Sequence, residues 1–558
     1  MRLTGGLRNA RRAGEASAAR RLARIRFGRI VALFSVGTVV ATLTWVVALT
    51  SVSIAKRAAF PFDLLYWPDD YFMTVLMKID AGRSPYSPPA EANSWIYAPG
   101  GPYLHWLLLA PLGLVRSFAA NKALALTWLV GAVGLGTWAG WQLASALAWL
   151  PVGRVSRALF AVVLALMLAL AACTNPVADS LHPTNLELMF ITGAVGLAAR
   201  WPSLTEKQRM VIALVLPALA VAAKQTAGLV TAGTFTALAL LTGGSWRARV
   251  AGALLPAAGV GAMLGLLTLT SRGWFWVWCY TMPRGAPWEM WKTRDLTHGM
   301  GLWLYPSLAV IAAKSLHALA QRPREWAWFR GLLPIAAYTP LALIALLKAL
   351  GGPNNLTVLS FLYAVPTGTV LAHHMTTGAT LRRVLACNLA ALLAFAIWLP
   401  QKRVPGARDY EHGETVCRYF EARTRCGERV LLPRGAACFA RTGIAFPRDR
   451  AMPAMDAAVA GHGLQMTERL LRREYDIVIL EETDLRSAWL RGALAPLRTH
   501  YVEFGQIEGG QAGDLWLEGW GDLMAGPVSL FERNTEAGRH RVDQSAFECP
   551  TQPPPTRR

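Results

Sequence analysis

The chain has 558 residues, a net charge of +22, and 54% hydrophobic against 16% charged residues. Soluble domains carry roughly 25% charged residues, whereas here apolar runs long enough to cross a bilayer recur from Ile30 to Pro400. A soluble fold is excluded, and the arginines, clustered at the ends of apolar runs, encode membrane orientation rather than a nucleic-acid partner.

The first thirty residues hold nine arginines and one acid. Residues 30–55 are uncharged, a longer run than the roughly 7–15-residue apolar core of a signal peptide. They are expected to form a retained first crossing behind a basic cytoplasmic segment, 1–29. Further crossings are expected at 121–148, 156–173, 185–200, 209–223, 226–243, 248–271, 301–320, 328–350, 356–374 and 380–400. The cations Arg154, Arg200, Lys207, Arg247, Arg324 and Arg382 flank alternate connections, which places those connections in the cytoplasm. Residues 101–119 are apolar enough to cross, but counting them would invert every later loop. They are expected to lie in the outer interface as a short amphipathic or re-entrant helix.

The fold class that follows is mainly α, a polytopic transmembrane helix bundle of about 11 crossings with N-terminus in and C-terminus out. The transmembrane domain covers 30–400 with an outward loop at 56–120, and a small extracytoplasmic α/β domain covers 401–535. In that domain 429–432 and 476–480 read as strands and 467–474 as a helix. The tail 536–558 is polar and proline-rich and is expected to be disordered. Cys173, Cys279 and Cys387 lie in or beside membrane segments as packing residues. Cys417, Cys426, Cys438 and Cys549 fall in the C-terminal region, where Cys417–Cys426 closes a short loop that suits a disulfide, with other pairings left open. No internal repeat or heptad pattern is present.

The first outward loop is the richest stretch. Pro68 suits a helix start, and Phe72, Val75, Leu76 and Ile79 follow i, i+3, i+4, i+7 spacing. The expectation is a short helix on the membrane surface, apolar stripe down, with Asp69 and Asp70 in its first turn. There they complement the helix dipole, or one of them serves as a general base or acceptor-orienting group. Lys224 stands between two apolar segments, where a lysine needs a partner or water; it either binds an anionic phosphate or snorkels to the interface. The stretch 173–188 puts Asp179, His182, Asn185 and Glu187 at an outer edge without metal-ligand spacing. Lys348 to Asn355, Lys-Ala-Leu-Gly-Gly-Pro-Asn-Asn, ends an outward-running helix and allows close backbone approach to a ligand, or merely caps the helix. The stretch 272–300 carries five tryptophans with Arg284, Lys292 and Arg294, as a lid, an acceptor platform or an interfacial belt.

Taken together, an acid in a surface helix of the first outward loop, a Gly-x-x-x-Tyr element (Gly82 to Tyr86), a Tyr-x-Pro element (Tyr97 to Pro99), Lys224 and the Lys348–Asn355 stretch resemble the GT-C superfamily. These are integral-membrane glycosyltransferases that use polyprenyl-phosphate-linked sugars; the resemblance is to bacterial protein mannosyltransferases and lipid A aminoarabinose transferases. Where that family carries Gly-Gln-Asn, this chain has His182-Pro-Thr-Asn185. The resemblance implies a multi-pass protein of the bacterial plasma (inner) membrane. It implies Asp69 or Asp70 as the catalytic acid–base or orienting group, and Lys224 and Lys348 at the donor phosphate. Arg83, Tyr86, Tyr97, His182, Asn185, Asn354 and Asn355 would contact substrate. Its partners would be a polyprenyl-phosphate-linked sugar donor, a lipid, glycan or protein acceptor, and membrane lipid. The family holds members that need a divalent metal ion and members that do not, so the cofactor stays open and no metal ligand is assigned. A transporter or lipid flippase is the alternative, and an inactive assembly or receptor subunit a third. Transporters place ionisable groups at the bilayer midplane between related halves, whereas these candidates gather at one membrane edge.

Overall fold

The computed structural model describes residues 3–63, 67–88, 94–173, 178, 180–242, 245–285, 288, 290, 301–320, 326–348, 354–398, 404–432, 435–442, 465–481, 494–509 and 528–533. Asp179 and the tail 536–558 lie outside them.

Each of the eleven expected crossings falls on a helix. The first is α1 (Leu3–Ala58). Two short helices of the first outward loop follow, α2 (Trp67–Asp80) and α3 (Gly100–Leu109). Then come α4 (Phe118–Ala146), α5 (Arg154–Cys173), α6 (Thr184–Ala199), α7 (Glu206–Ala223), α8 (Gln225–Thr242) and α9 (Trp246–Thr270). Beyond a short helical stretch at 274–285 lie α10 (Gly301–Ala320), α11 (Trp326–Leu347), α12 (Asn354–Thr377) and α13 (Thr380–Trp398). Residues 30–58 of α1 and helices α4, α5, α8, α9 and α11 are long and apolar enough to cross a membrane; α6 and 304–320 of α10 are apolar but shorter. The basic segment 1–29 is not separate from the first crossing, since α1 runs through it from Leu3.

Side-chain caps fix where several helices begin. Ser117 accepts the Ala120 amide ahead of α4, and Ser245 accepts the Ala248 amide ahead of α9. Thr205 and Gln208 form a capping box at the start of α7. Helix α3 has 10 residues, about 15 Å at about 1.5 Å per residue, too short for a hydrocarbon core of about 30 Å. A short helix in place of a crossing at 101–119 is what the charge pattern required.

Helix α2 departs from the expectation. Phe72, Val75, Leu76 and Ile79 are buried, but so are Tyr71, Met73, Met77 and Lys78 on the other faces. The helix is enclosed by protein rather than lying on lipid, because α3 covers one side and a helix of the C-terminal region covers another.

That C-terminal region holds α14 (Ala407–Arg425), β1 (Val430–Leu431), α15 (Ala436–Thr442), α16 (Gln465–Leu471), β2 (Ile477–Glu481), α17 (Leu497–His500), β3 (Tyr501–Ile507) and β4 (Val528–Arg533). The sheet order is β1-β2-β4-β3, with β1 parallel to β2 and the other pairs antiparallel. Both expected strands and the helix between them are present; β3 and β4 were not anticipated.

Cys417 pairs with Cys438, at a Cα–Cα distance of 4.8 Å, and not with Cys426. Cys417 lies inside α14 and Cys426 caps its C-terminus. Nine helical residues separate their Cα atoms by about 13 Å, beyond the roughly 7 Å a disulfide can bridge. The pair that does form staples α14 to α15.

Among the described residues, two of the apolar clusters are the largest. One is built mainly from α1, α4–α6 and α11–α13, with residues of α7, α8 and α10. The second joins the first outward loop (Phe60, Phe72, Trp95), the 274–285 stretch (Phe275, Trp278) and the C-terminal region (Phe420, Phe439, Ile477). The loop and one side of the C-terminal domain therefore share an interior, while Leu431, Leu470, Val478 and Tyr501 form a separate cluster of that domain.

Candidate functional site

The break between α7 and α8 sets the site. Lys224 closes α7 with extended backbone (φ −159°, ψ 139°), and α8 begins at the next residue. Its Nζ lies 2.5 Å from Glu187 Oε2, in the first turn of α6, and both side chains are buried. Thr226 donates its hydroxyl to the other Glu187 oxygen. A lysine in such a position requires a counter-charge because desolvation of a lone ammonium is costly. Glu187 supplies it.

The first outward loop folds over this break. The Lys224 ammonium stands 5.6 Å from the centre of the Tyr97 ring, a cation–π contact. The Tyr97 hydroxyl meets His182 Nε2 at 2.8 Å, and His182 Nδ1 meets the Thr184 hydroxyl. Burial pushes the Tyr97 phenol above its usual range, helped by the Glu187 charge. Burial, then the Lys224 charge, holds His182 well below the usual imidazole range, so its ring is neutral. Gln225 anchors the loop, accepting the Ala98 amide at 3.3 Å and donating to Ile96 O at 3.1 Å. Gly100 explains the close fit: a Cβ there would stand 2.5 Å from Ala222 O, two residues before Lys224.

The two aspartates of α2 do different things. Asp69 Oδ1 accepts the Leu181 amide at 2.8 Å, and Oδ2 lies 3.0 Å from Lys122 Nζ, with both side chains fully buried. Asp69 thus grips the residue next to His182. Asp70 Oδ1 accepts the amides of Gly435 (3.0 Å) and Ala436 (2.8 Å), and Asp63 accepts the Ala436 amide as well (2.7 Å). Asp70 faces the C-terminal domain.

The remaining sequence candidates spread along the same region. Tyr86 donates to Tyr97 O at 2.6 Å, steadying the ring over Lys224. Arg83 is half-buried just past the end of α2. Asn185 donates to Ala125 O and Ala178 O and so ties α4 to the approach to α6. Lys348 leaves this cluster: it donates to Arg284 O at 3.2 Å and covers the Trp288 ring at 4.4 Å. Asn355 is buried in the first turn of α12; the Asn354 side chain and residues 349–353 lie outside the described residues. Trp278 is no belt residue, since its indole is buried and donates to Ser87 O at 2.7 Å.

Sequence reasoning missed Lys122, Thr226 and Gln225. Lys122 was absorbed into the expected span 121–148, where a charge directly inside a helix end was the available signal. Thr226 and Gln225 follow Lys224 directly, and three polar residues in succession between two apolar helices were that signal. Among the described residues no three His, Cys, Asp or Glu side chains converge as metal ligands.

No family model matches the chain, and no curated protein matches it by sequence. Among solved structures it is similar to an oligosaccharyltransferase of Archaeoglobus fulgidus tethered to an acceptor peptide containing the NVT sequon. There the TM-score is 0.47 at 11% identity, covering 83% of this chain and 72% of that one. It is also similar to ArnT from Cupriavidus metallidurans bound to undecaprenyl phosphate. There the TM-score is 0.46 at 12% identity, covering 91% of this chain and 99% of the other.

Proposed function

We propose that the chain is a membrane glycosyltransferase. It moves a sugar from a polyprenyl-phosphate carrier to a cell-envelope acceptor at the outer face of the bacterial plasma membrane. The observation that carries this reading is the buried cation Lys224 at a helix break, gathered with Glu187, Tyr97 and His182 at one membrane edge. That edge lies opposite the cationic flanks Lys207 and Arg209 of α7 and so faces outward by the positive-inside rule. A disulfide in the C-terminal domain suits the same oxidising side.

In the reaction, the acceptor oxygen bonds to the anomeric carbon as the bond from that carbon to the phosphate oxygen breaks. The electron pair leaves with the polyprenyl phosphate, whose growing negative charge requires a fixed cation. Lys224 is that cation, with Glu187 and Thr226 holding it when no phosphate is bound. Lys348, set apart from that cluster against Trp288, is a second cation for the donor phosphate. The acceptor proton passes to Asp69 or is oriented by it, and Asp69 at the same time sets the backbone beside His182. Tyr97, His182 and Arg83 line the approach for substrate hydroxyls, and Tyr86 and Asn185 hold that lining in place.

The test is purified protein in liposomes with polyprenyl-phosphate sugars and envelope acceptors, followed by mass spectrometry. Sugar transfer that Asp69→Asn or Lys224→Gln abolishes is the expected result. Lipid movement across the bilayer without transfer would make the protein a flippase instead. Envelope glycans of a deletion strain should lack one sugar substituent, whose mass identifies the donor.

A further inference from the structure

A groove of about 550 Å³ opens where the first outward loop meets the C-terminal domain, away from Lys224 and its partners. Its lining is Phe62 from the loop, Tyr410, Glu411, Glu414 and Arg418 from α14, and Arg441 from α15. The four α14 residues share one helix face by their spacing. Arg441 forms a two-pronged pair with Glu414, at 2.7 and 3.0 Å, and its guanidinium lies 5.7 Å from the centre of the Phe62 ring. Tyr410 stacks edge-on against Phe60 at 5.0 Å and remains exposed, as do Glu411 and Arg418. Gly413 lets α14 press onto the Phe62 ring, which a Cβ would meet at 2.6 Å.

The balance of these groups selects the ligand class. Two carboxylates and two guanidiniums make the groove neutral overall. An anion would face Glu411 and Glu414, a cation would face Arg418 and Arg441, and a purely apolar chain would strand four charges without water. A neutral polyhydroxylated ring meets all of these demands. A C–H face covers the exposed Tyr410 ring, and vicinal hydroxyls bond to the exposed Glu411 carboxylate and Arg418 guanidinium, beside the Arg441–Glu414 pair. The volume falls within the roughly 300–1,000 Å³ of small-ligand pockets. The groove is tied to α2 through the chain: Phe62 precedes Asp63, which with Asp70 holds the amide of Ala436.

We propose that this groove is a subsite for a neutral saccharide and, resting on the glycosyltransferase reading, that it holds the acceptor glycan. The experiment is saturation-transfer NMR on the full-length protein in lipid nanodiscs. The probes are mannotriose, maltotriose and chitotriose, with a trigalacturonate and inorganic phosphate as charged controls. At least one neutral trisaccharide should bind. Tyr410→Ala and, separately, the surface variant Arg418→Ala should each weaken that binding roughly fivefold or more. Absence of binding by every neutral probe, preference for a charged control, or variants that bind like the parent would overturn the proposal. Since this readout needs no turnover, saccharide binding without transfer from any polyprenyl donor would strike the glycosyltransferase reading and leave the subsite standing.

Discussion

Asp70 and Ala436 lie 366 residues apart in the chain, yet the Asp70 carboxylate accepts the Ala436 amide at 2.8 Å, deep inside the protein. The contact fastens the C-terminal domain to the helix that carries Asp69. Removing the carboxylate leaves the Gly435 amide without this acceptor, while Asp63 still serves Ala436. An unsatisfied buried donor costs about 1–3 kcal/mol. Asp70→Ala should therefore speed hydrogen exchange across 435–442 by about tenfold or more, without unfolding the transmembrane helices. Exchange at the parent rate would show that other contacts hold the domain.

Asp69 and Lys122 form a fully enclosed ion pair at 3.0 Å. Losing one partner strands the other charge, at about 3–5 kcal/mol. Lys122→Met should thus lower thermal stability sharply. The double variant Asp69→Asn with Lys122→Met should recover most of the stability but no transfer. Recovery of transfer along with stability would remove Asp69 from the chemistry.

Lys224 is the proposed ligand of the donor phosphate. Lys224→Gln should cut transfer by about 100-fold or more, the range found when one transition-state charge partner is lost. It should also weaken binding of free polyprenyl phosphate, measured by fluorescence titration. Lys224→Arg should restore part of the binding, because the charge returns while the fit to Glu187 does not.

His182 is held neutral by burial and by the Lys224 charge. Its folded value lies below that of the unfolded chain, so the unfolded state takes up the proton first. The stability it contributes is fully present above about pH 6.5 and is lost as the pH falls below that value. Thermal unfolding scanned between about pH 7 and 5 should show this acid limb, and His182→Asn should flatten it. Parallel profiles for both proteins would rule His182 out as its source.

The Cys417–Cys438 bridge should appear as a linked peptide pair in non-reducing digests. Cys417→Ser with Cys438→Ser should destabilise the C-terminal domain by about 2–5 kcal/mol, seen as earlier proteolysis within α14.

Much of the architecture could be read before any coordinates. Apolar runs between cationic flanks mark the helices of the bundle, because a bilayer leaves little choice of backbone. The placement of Lys224 between two helices and of His182 at the start of a third was equally legible. Partners distant in sequence were not. Nothing local to Asp70 signals Gly435, and nothing near Glu187 signals Lys224, since both contacts depend on how loops fold over the helix ends. The stripe on α2 was real, but a stripe does not say whether lipid or protein covers it, and Met73 and Met77 on the other faces were the overlooked sign. Strand β3, Tyr501–Ile507, alternates poorly because Glu503 and Gln506 interrupt it, and a register shift occurs between Glu503 and Gly505. The disulfide was misassigned because proximity in sequence means separation along a rigid helix.

Position 100 carries no chemistry, yet a single added methyl group there would press against the carbonyl of Ala222. The strain would pass through two peptide units to the Lys224 ammonium, the proposed phosphate ligand. A mutational scan of this chain should find that glycine as intolerant of change as the charged residues themselves. Its silence in any inventory of reactive groups conceals a mechanical role, as the bearing against which the loop and the broken helix are set.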